Sequence, residues 1–315
     1  MSHARYTASA PGKIILMGEH AVVYGRPAMA APVFQVQATA TLTVEDDAAE
    51  LWIDAADLNQ RFALSTAPPA DPLALALRLT LASVQRPAPG GEVRVRSTIP
   101  VAGGMGSGAA VSTAIVRAVA AWAGQALPPA AVSALVYEVE CLHHGTPSGI
   151  DNTVIAYAQP VWFVKGQPPQ PFDIPHPFWL VIASTGIASP TRETVGDVRG
   201  QWQADPTRFE GLFDQVAGLV NAGRAAMLAG DWFHLGALMT ANHAVLGQMG
   251  VSAPILDRLV AAANAAGAFG AKLSGGGRGG NVIALVDSIA AAAVEQAVHD
   301  AGAAAVIITP IGVNT

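Results

Sequence analysis

The segment that most limits what this chain can become runs from Glu92 to Gly124. It opens with a strand-like alternation, EVRVRSTI, passes through PVAGGMGSGAA at Pro100 to Ala110, and continues as a helix-period stripe of Val111, Ile115, Ala118, Val119 and Trp122. The helix reads from Ser107 to Ala123 and stops at Gly124, where a C-cap is expected. A strand, a glycine-rich turn and a helix in that order form a cradle for phosphate. Gly103, Gly104, Gly106 and Gly108 remove the side chains that would keep a ligand off the backbone amides, and the helix N-terminus adds oriented donors and the positive end of its dipole. The same run also suits a flexible connecting turn. It is no Walker A loop, since Gly-Lys-Ser/Thr does not follow. If nucleotide binds here, Ser107 is placed to donate to phosphate or to ligate Mg²⁺.

Two further segments carry chemistry-bearing residues. Ala10 to Gly25, APGKIILMGEHAVVYG, sets Lys13 beside a Pro-Gly turn and Glu19-His20 after a short apolar run, so a cation, a carboxylate and an imidazole lie close in sequence. Glu140 to Asn152, ECLHHGTPSGIDN, puts Glu140 near the end of a helix and Asp151 in a Pro/Gly-shaped loop, two carboxylates suited to separate work as metal ligand and as acid/base. His143 and His144 lack zinc-ligand spacing and read as packing groups or supports of a ligand. A fourth segment, Lys272 to Val282, KLSGGGRGGNV, satisfies G-x-G-x-x-G. Asn281 to Val286 reads as a strand, which excludes a Rossmann turn, and the remaining protein-kinase motifs are missing. Alone, this segment fits a structural hairpin as well as a ligand loop.

Composition narrows the classes. Charged residues make up 13% of the 315 residues against 51% apolar, which excludes a disordered or highly charged scaffold. The most apolar stretches are broken by Arg117 and Asp287 before about 18 residues, so no membrane span is expected, and the N-terminus offers no secretory signal. The sequence reads as a soluble cytoplasmic protein. The net charge of −6 with no basic run argues against a nucleic-acid binder, and the single cysteine, Cys141, reads as a small buried hydrophobe on a helix. Lys13, Lys165 and Lys272 are the only lysines.

The length suits about two domains. Val33 to Val44 alternates as a strand, and Pro128-Pro129 open a helix that ends at His144. Gly166 to Phe178, with five prolines, reads as an interdomain crossing. Beyond it come a strand at Trp179 to Ser184, Ala-rich helices from Thr191 to Ala266, Ala271 to Ser274 as a strand, a helix capped by Ser288 and closed by Gly302, and a last strand at Ala304 to Thr309. This is a mixed α+β two-lobed layout.

Together, PGKIILMGEHAVVYG, PVAGGMGSGAA and KLSGGGRGGNV resemble the three ordered motifs of the GHMP small-molecule kinases, over nearly the whole chain. GEHAVVYG and HGTPSGIDN are most similar to the branch that phosphorylates mevalonate. The resemblance implies an N-terminal lobe similar to ribosomal protein S5 domain 2 (1–175) and a C-terminal ferredoxin-like lobe (176–315). It implies ATP and Mg²⁺ as cofactors and (R)-mevalonate as the small-molecule substrate, phosphorylated at its C5 hydroxyl. It implies no nucleic-acid or membrane partner and leaves a homodimer open.

Residue by residue, the resemblance makes Asp151 the catalytic carboxylate with Lys13 beside it, and Glu140 the Mg²⁺ ligand with Ser107. Glu19 and His20 line the substrate side, with Thr185 of STGIASPT as a further substrate contact. Gly103, Gly104, Met105, Gly106, Ser107 and Gly108 hold the triphosphate, and Gly275, Gly276 and Gly277 close the pocket. Two positions depart from the family. Its first glycine loop carries a second serine where this chain has Gly108, and its third motif continues with glycine where this chain has Arg278, whose guanidinium reads as a phosphate contact or as solvent-facing. An enzyme acting on a phosphorylated mevalonate would need extra cations, for which Lys13, Arg26 and Arg192 are the candidates. A non-catalytic sensor would have lost Asp151 or Glu140, and both are present.

Overall fold

The computed structural model describes residues 4–100, 103–144 and 147–312. The chain divides into two compact units: Met1–Gly12, Val36–Pro100 and Gly106–Ala158 form the first, and Lys13–Gln35, Val101–Met105 and Gln159–Thr315 form the second. The units interleave along the chain, a different partition from a single cut after residue 175. Strands β1 (Ala4–Met17) and β2 (Ala28–Val44) each supply residues to both.

In the first unit β3 (Leu51–Ala55) pairs antiparallel with β4 (Gln60–Ala63) and parallel with β5 (Gly91–Ser97), which pairs antiparallel with β2 from Ala38↔Ser97 to Val44↔Gly91. The parallel pair is joined across α1 (Pro72–Ser83), as parallel strands need a long crossover. Period-two sequence puts Val36, Ala38, Ala40 and Leu42 of β2 and Val93 and Val95 of β5 on the buried face. Helices α2 (Ser107–Trp122), α3 (Pro129–His144) and α4 (Ile150–Tyr157) complete this unit. The expected α2 and α3 are both present, and Gly124 adopts the left-handed conformation that ends α2, with φ +71°. Helix α1 went unread in the sequence despite its signature: Asp71 accepts from Ala74 N at 2.8 Å and Pro72 takes the first turn.

In the second unit the start of β2 pairs with β6 (Val161–Phe163), and β6 with β7 (Gln170–Pro171). Residues Ala28 to Val33 are buried without a break, so the alternation that marked the rest of β2 is lost there and the strand starts earlier than its pattern suggests. A second sheet contains β8 (Phe178–Ser184), β9 (Gly270–Ser274), β10 (Asn281–Val286) and β11 (Ala305–Ile311) in the antiparallel order β11-β8-β10-β9. That order is the ferredoxin-like split arrangement expected for the C-terminal lobe.

Between β8 and β9 run α5 (Thr191–Ala204), α6 (Pro206–Ala229), α7 (Trp232–Gln248) and α8 (Pro254–Ala265), with Phe209, Phe213, Leu235 and Leu256 in the core. Helix α9 (Ala291–Asp300) precedes β11. Its entry is held by Asp287, whose Oδ1 accepts from Ile289 N at 3.0 Å and Ala290 N at 2.7 Å, and not by Ser288 as the sequence suggests. Cys141 is half-buried, less enclosed than expected. Among the described residues no helix is long and apolar enough to cross a membrane.

Candidate active site

The glycine turn contributes residues to each unit. Gly104 and Gly106 have φ of +76° and +74°, a conformation costly for side-chain-bearing residues. In the second unit, Gly103 O accepts from the Asn281 amide and Met105 O accepts from Lys13 N at 3.0 Å, which ties the turn to β10 and β1. Val101 and Ala102 lie outside the described residues. In the first unit Gly106 opens α2 with no side-chain cap, so the amides of Ser107 and Gly108 start the helix without the usual Ser/Asp acceptor.

Glu140, on α3, is 5% exposed, and a Cβ placed on Gly108 would lie 3.2 Å from its Oε1. The structure thus brings Glu140 to the first turn of α2, at Gly108. Asp151 is half-buried, and the structure corrects its setting: it lies in the first turn of α4, behind left-handed Gly149, and not in a loop. Its neighbours fasten that turn. Asn152 Nδ2 donates to Ser133 O at 3.0 Å and to Ser133 Oγ at 2.9 Å, and Thr153 Oγ1 donates to Gly149 O at 2.6 Å. The side chains of His143 and His144 lie outside the described residues.

The second unit gathers the other sequence-predicted groups. Lys13, Glu19 and His20 are all buried at the end of β1 and the turn after it. That strand is stitched to β9 through Ser274, whose Oγ donates to Ile15 O at 2.8 Å and accepts from Ile15 N at 3.2 Å. His20 has φ +60° and its Nε2 bonds to Gly276 O at 3.1 Å. Since a carbonyl only accepts, Nε2 carries the proton and Nδ1 is the acceptor nitrogen. Burial pushes the His20 pKa down to about 4, against the raising effect of that bond, and the nearby charges of Arg278 and Lys272 add to the lowering. At neutral pH the ring is uncharged.

The hairpin between β9 and β10 is clasped from the loop after β8. Thr185 Oγ1 donates to Gly280 O at 2.9 Å, Ser189 Oγ donates to Gly277 O at 2.9 Å, and Gly280 N donates to Ile187 O at 2.9 Å. Thr185 is buried in that clasp. The glycines are required by close approach: a Cβ on Gly277, at φ +79°, would sit 2.0 Å from Val251 O. Arg278, at φ +56°, has protein partners for its guanidinium. Its guanidinium pairs with Asp197 of α5 and donates to Gly250 O. Arg26, a candidate phosphate ligand, is held by Glu210 and by Asp214 at 2.8 Å.

Sequence reasoning gave Lys272 no role, although it was one of three lysines and stood inside a glycine motif. Its ammonium bonds the Glu19 carboxylate in a fully buried ion pair.

Comparison with known proteins bears on this arrangement. Residues 73–159 match the GHMP kinases N terminal domain, and residues 224–304 match the GHMP kinases C terminal domain. The chain is 34% identical over 299 residues to a mevalonate kinase of Thermococcus sibiricus, covering 89% of each. It is 34% identical over 301 residues to a mevalonate kinase of Pyrococcus furiosus, covering 88% of each. Among solved structures it is similar to L. major mevalonate kinase in complex with R-mevalonate, with a TM-score of 0.85, 28% identity and coverage of 98% of this chain and 97% of that one. The Methanococcus jannaschii mevalonate kinase shares the fold, with a TM-score of 0.81 at 24% identity over 98% of each chain.

Proposed function

The chain belongs to the GHMP kinase family, and on that premise we propose that it transfers the γ-phosphoryl group of ATP to the C5 hydroxyl of (R)-mevalonate, giving 5-phosphomevalonate and ADP. The observation that carries the reading is the first turn of α2: a helix N-terminus without a side-chain cap, entered through left-handed glycines, with the buried carboxylate of Glu140 at Gly108. First-turn amides without a side-chain cap suit an anionic polyphosphate. A buried carboxylate beside them suits a divalent cation, which needs only one or two protein carboxylates when phosphate oxygens complete its shell. Glu140 and Ser107 would hold Mg²⁺, and Gly103 to Gly108 with Gly275 to Gly277 would border the nucleotide. When bound, Mg²⁺ neutralises phosphate charge.

Phosphoryl transfer depends on positioning and charge neutralisation more than on covalent help. Asp151, fastened by Asn152 and Thr153, its neighbours in the same helical turn, takes the proton that the alcohol loses. Lys13 lowers the cost of the developing alkoxide. Glu19, His20 and Thr185 belong to the substrate side. Of the cations that a phosphorylated acceptor would need, Arg26 is already spent on two carboxylates, which favours the unphosphorylated acceptor. Residues 1–175 and 176–315 correspond to the two modules of the family architecture in this reading, and a small polar acceptor with ATP suits a cytoplasmic enzyme.

The test is ADP release with ATP and Mg²⁺ across mevalonate, 5-phosphomevalonate, galactose and homoserine. Release with mevalonate alone is expected. Strict preference for another acceptor overturns the substrate assignment.

A further inference from the structure

A lysine with 0% exposure in a sheet strand needs partners for its charge, since an isolated buried ammonium is far more costly than a paired one. Lys272 has them. It donates to Glu19 Oε1 across 253 residues of sequence and to Leu273 O at 2.6 Å. Burial lowers its pKa and the Glu19 carboxylate opposes that.

The pair sits next to a strained residue. His20 follows Glu19 directly and holds φ +60°, a region that a non-glycine residue keeps only when its surroundings fix it from more than one side. On one side Gly276 O accepts from its ring, and on the other Lys272 pins residue 19. Both anchors come from β9 and the turn that follows it, so one element holds both ends of the Glu19–His20 step. The ring then offers Nδ1 as a fixed acceptor.

We propose that Lys272 is a positioning residue for the acceptor alcohol: by pinning Glu19 it holds His20 in its strained positive-φ turn, closed by Ala21 N donating to Glu19 O at 2.6 Å, so that the imidazole is presented in one orientation to the substrate. This rests on the assignment of Glu19 and His20 to the substrate side, and it adds a function for a residue that touches neither substrate nor nucleotide. A lysine that served only to stabilise the fold would change the amount of active enzyme and leave KM alone. A positioning lysine changes KM for the acceptor.

The experiment compares Lys272→Met, Glu19→Gln and the double variant, with KM and kcat measured separately for mevalonate and ATP and folding checked by thermal melting. Lys272→Met should raise KM for mevalonate about tenfold, equivalent to about 1.4 kcal/mol, with KM for ATP within about twofold. Because both residues act through one link, the double variant should be no worse than the poorer single variant. An unchanged KM for mevalonate in folded Lys272→Met overturns the proposal, as do effects that multiply in the double variant.

If Lys272→Met alone fails to fold for want of a counter-charge, the uncharged double variant against Glu19→Gln decides: equal KM values support the proposal and a further rise overturns it. If Glu19→Gln folds and the double variant does not, the lysine is scaffold and the proposal fails. A wild-type enzyme that used a different alcohol would refute the mevalonate assignment alone, since the same comparisons with that alcohol still read the role of Lys272.

Discussion

The buried imidazole of His20 makes a quantitative prediction about acid. In the unfolded chain His20 takes up a proton near pH 6.5, whereas in the folded protein burial delays this to about pH 4. Between those values the unfolded state binds more protons, so stability is fully present above pH 6.5 and is lost as the pH falls toward 4. At about 1.36 kcal/mol per unit, the whole interval costs roughly 3 kcal/mol, and the step from pH 7 to pH 5 costs about 2 kcal/mol. His20→Gln keeps an N–H for Gly276 O and removes the titration.

Urea unfolding of wild type and His20→Gln at pH 7 and pH 5, followed by tryptophan fluorescence, isolates this difference. His243, whose pKa burial also lowers, faces Asp257 and titrates in both proteins, so its slope cancels. Wild type should lose about 2 kcal/mol more than the variant over that step. Equal losses within about 0.5 kcal/mol would refute the assignment of a buried neutral imidazole.

Three other perturbations test the site. Asp151→Asn should reduce kcat by about 10² to 10⁴-fold while ATP still raises the melting temperature, and near-normal turnover would remove Asp151 from its role. Glu140→Gln should raise the Mg²⁺ concentration for half-maximal activity, and an unchanged titration would take Glu140 out of the metal site. Gly104→Ala should cost only the left-handed strain of about 1–2 kcal/mol, because nothing lies within 4 Å of its added Cβ. Gly277→Ala adds a 2.0 Å overlap with Val251 O and should lower the melting temperature further, so equal melts would show that the hairpin yields at no cost.

What the sequence could show depended on how local the signal was. The turn at Gly103 to Gly108 stood out because glycine spacing, the preceding alternation and the following helical stripe agree with one another within one segment. The hairpin after Ser274 was readable for the same reason, since NVIALV suits a strand and not a helix. Asp151 was misread as a loop residue because Pro147 and Gly149 dominate the local pattern and α4 is only eight residues long. The Ser288 cap failed by one position, as Asp287 reaches two amides with one oxygen. The pairings of Lys272 with Glu19 and of Thr185 with Gly280 had no sequence signature. Their partners are 253 and 95 residues away; the β8–β10 register brings Thr185 to Gly280, and the packing of the end of β1 against β9 brings Glu19 to Lys272.

The interleaving of the chain has a consequence for how the protein is made. Residues 13–35 emerge from the ribosome early and β1 can pair with β2, yet they belong to a compact unit whose other main segment begins at Gln159, so they wait for more than a hundred further residues before the rest of that unit exists. Ile15 cannot meet Ser274, nor Glu19 meet Lys272, until β9 has been synthesised. Until then the apolar run from Ile14 to Met17 has β2 beside its strand but lacks the contacts that β9 supplies, and a partly covered segment of this kind is one that chaperones bind and that aggregates at high expression. A fragment ending at residue 175 would keep β1, β2, β6 and β7 but never gain the β9 contacts, and producing the two halves as separate polypeptides would require supplying both at once so that they can assemble in trans.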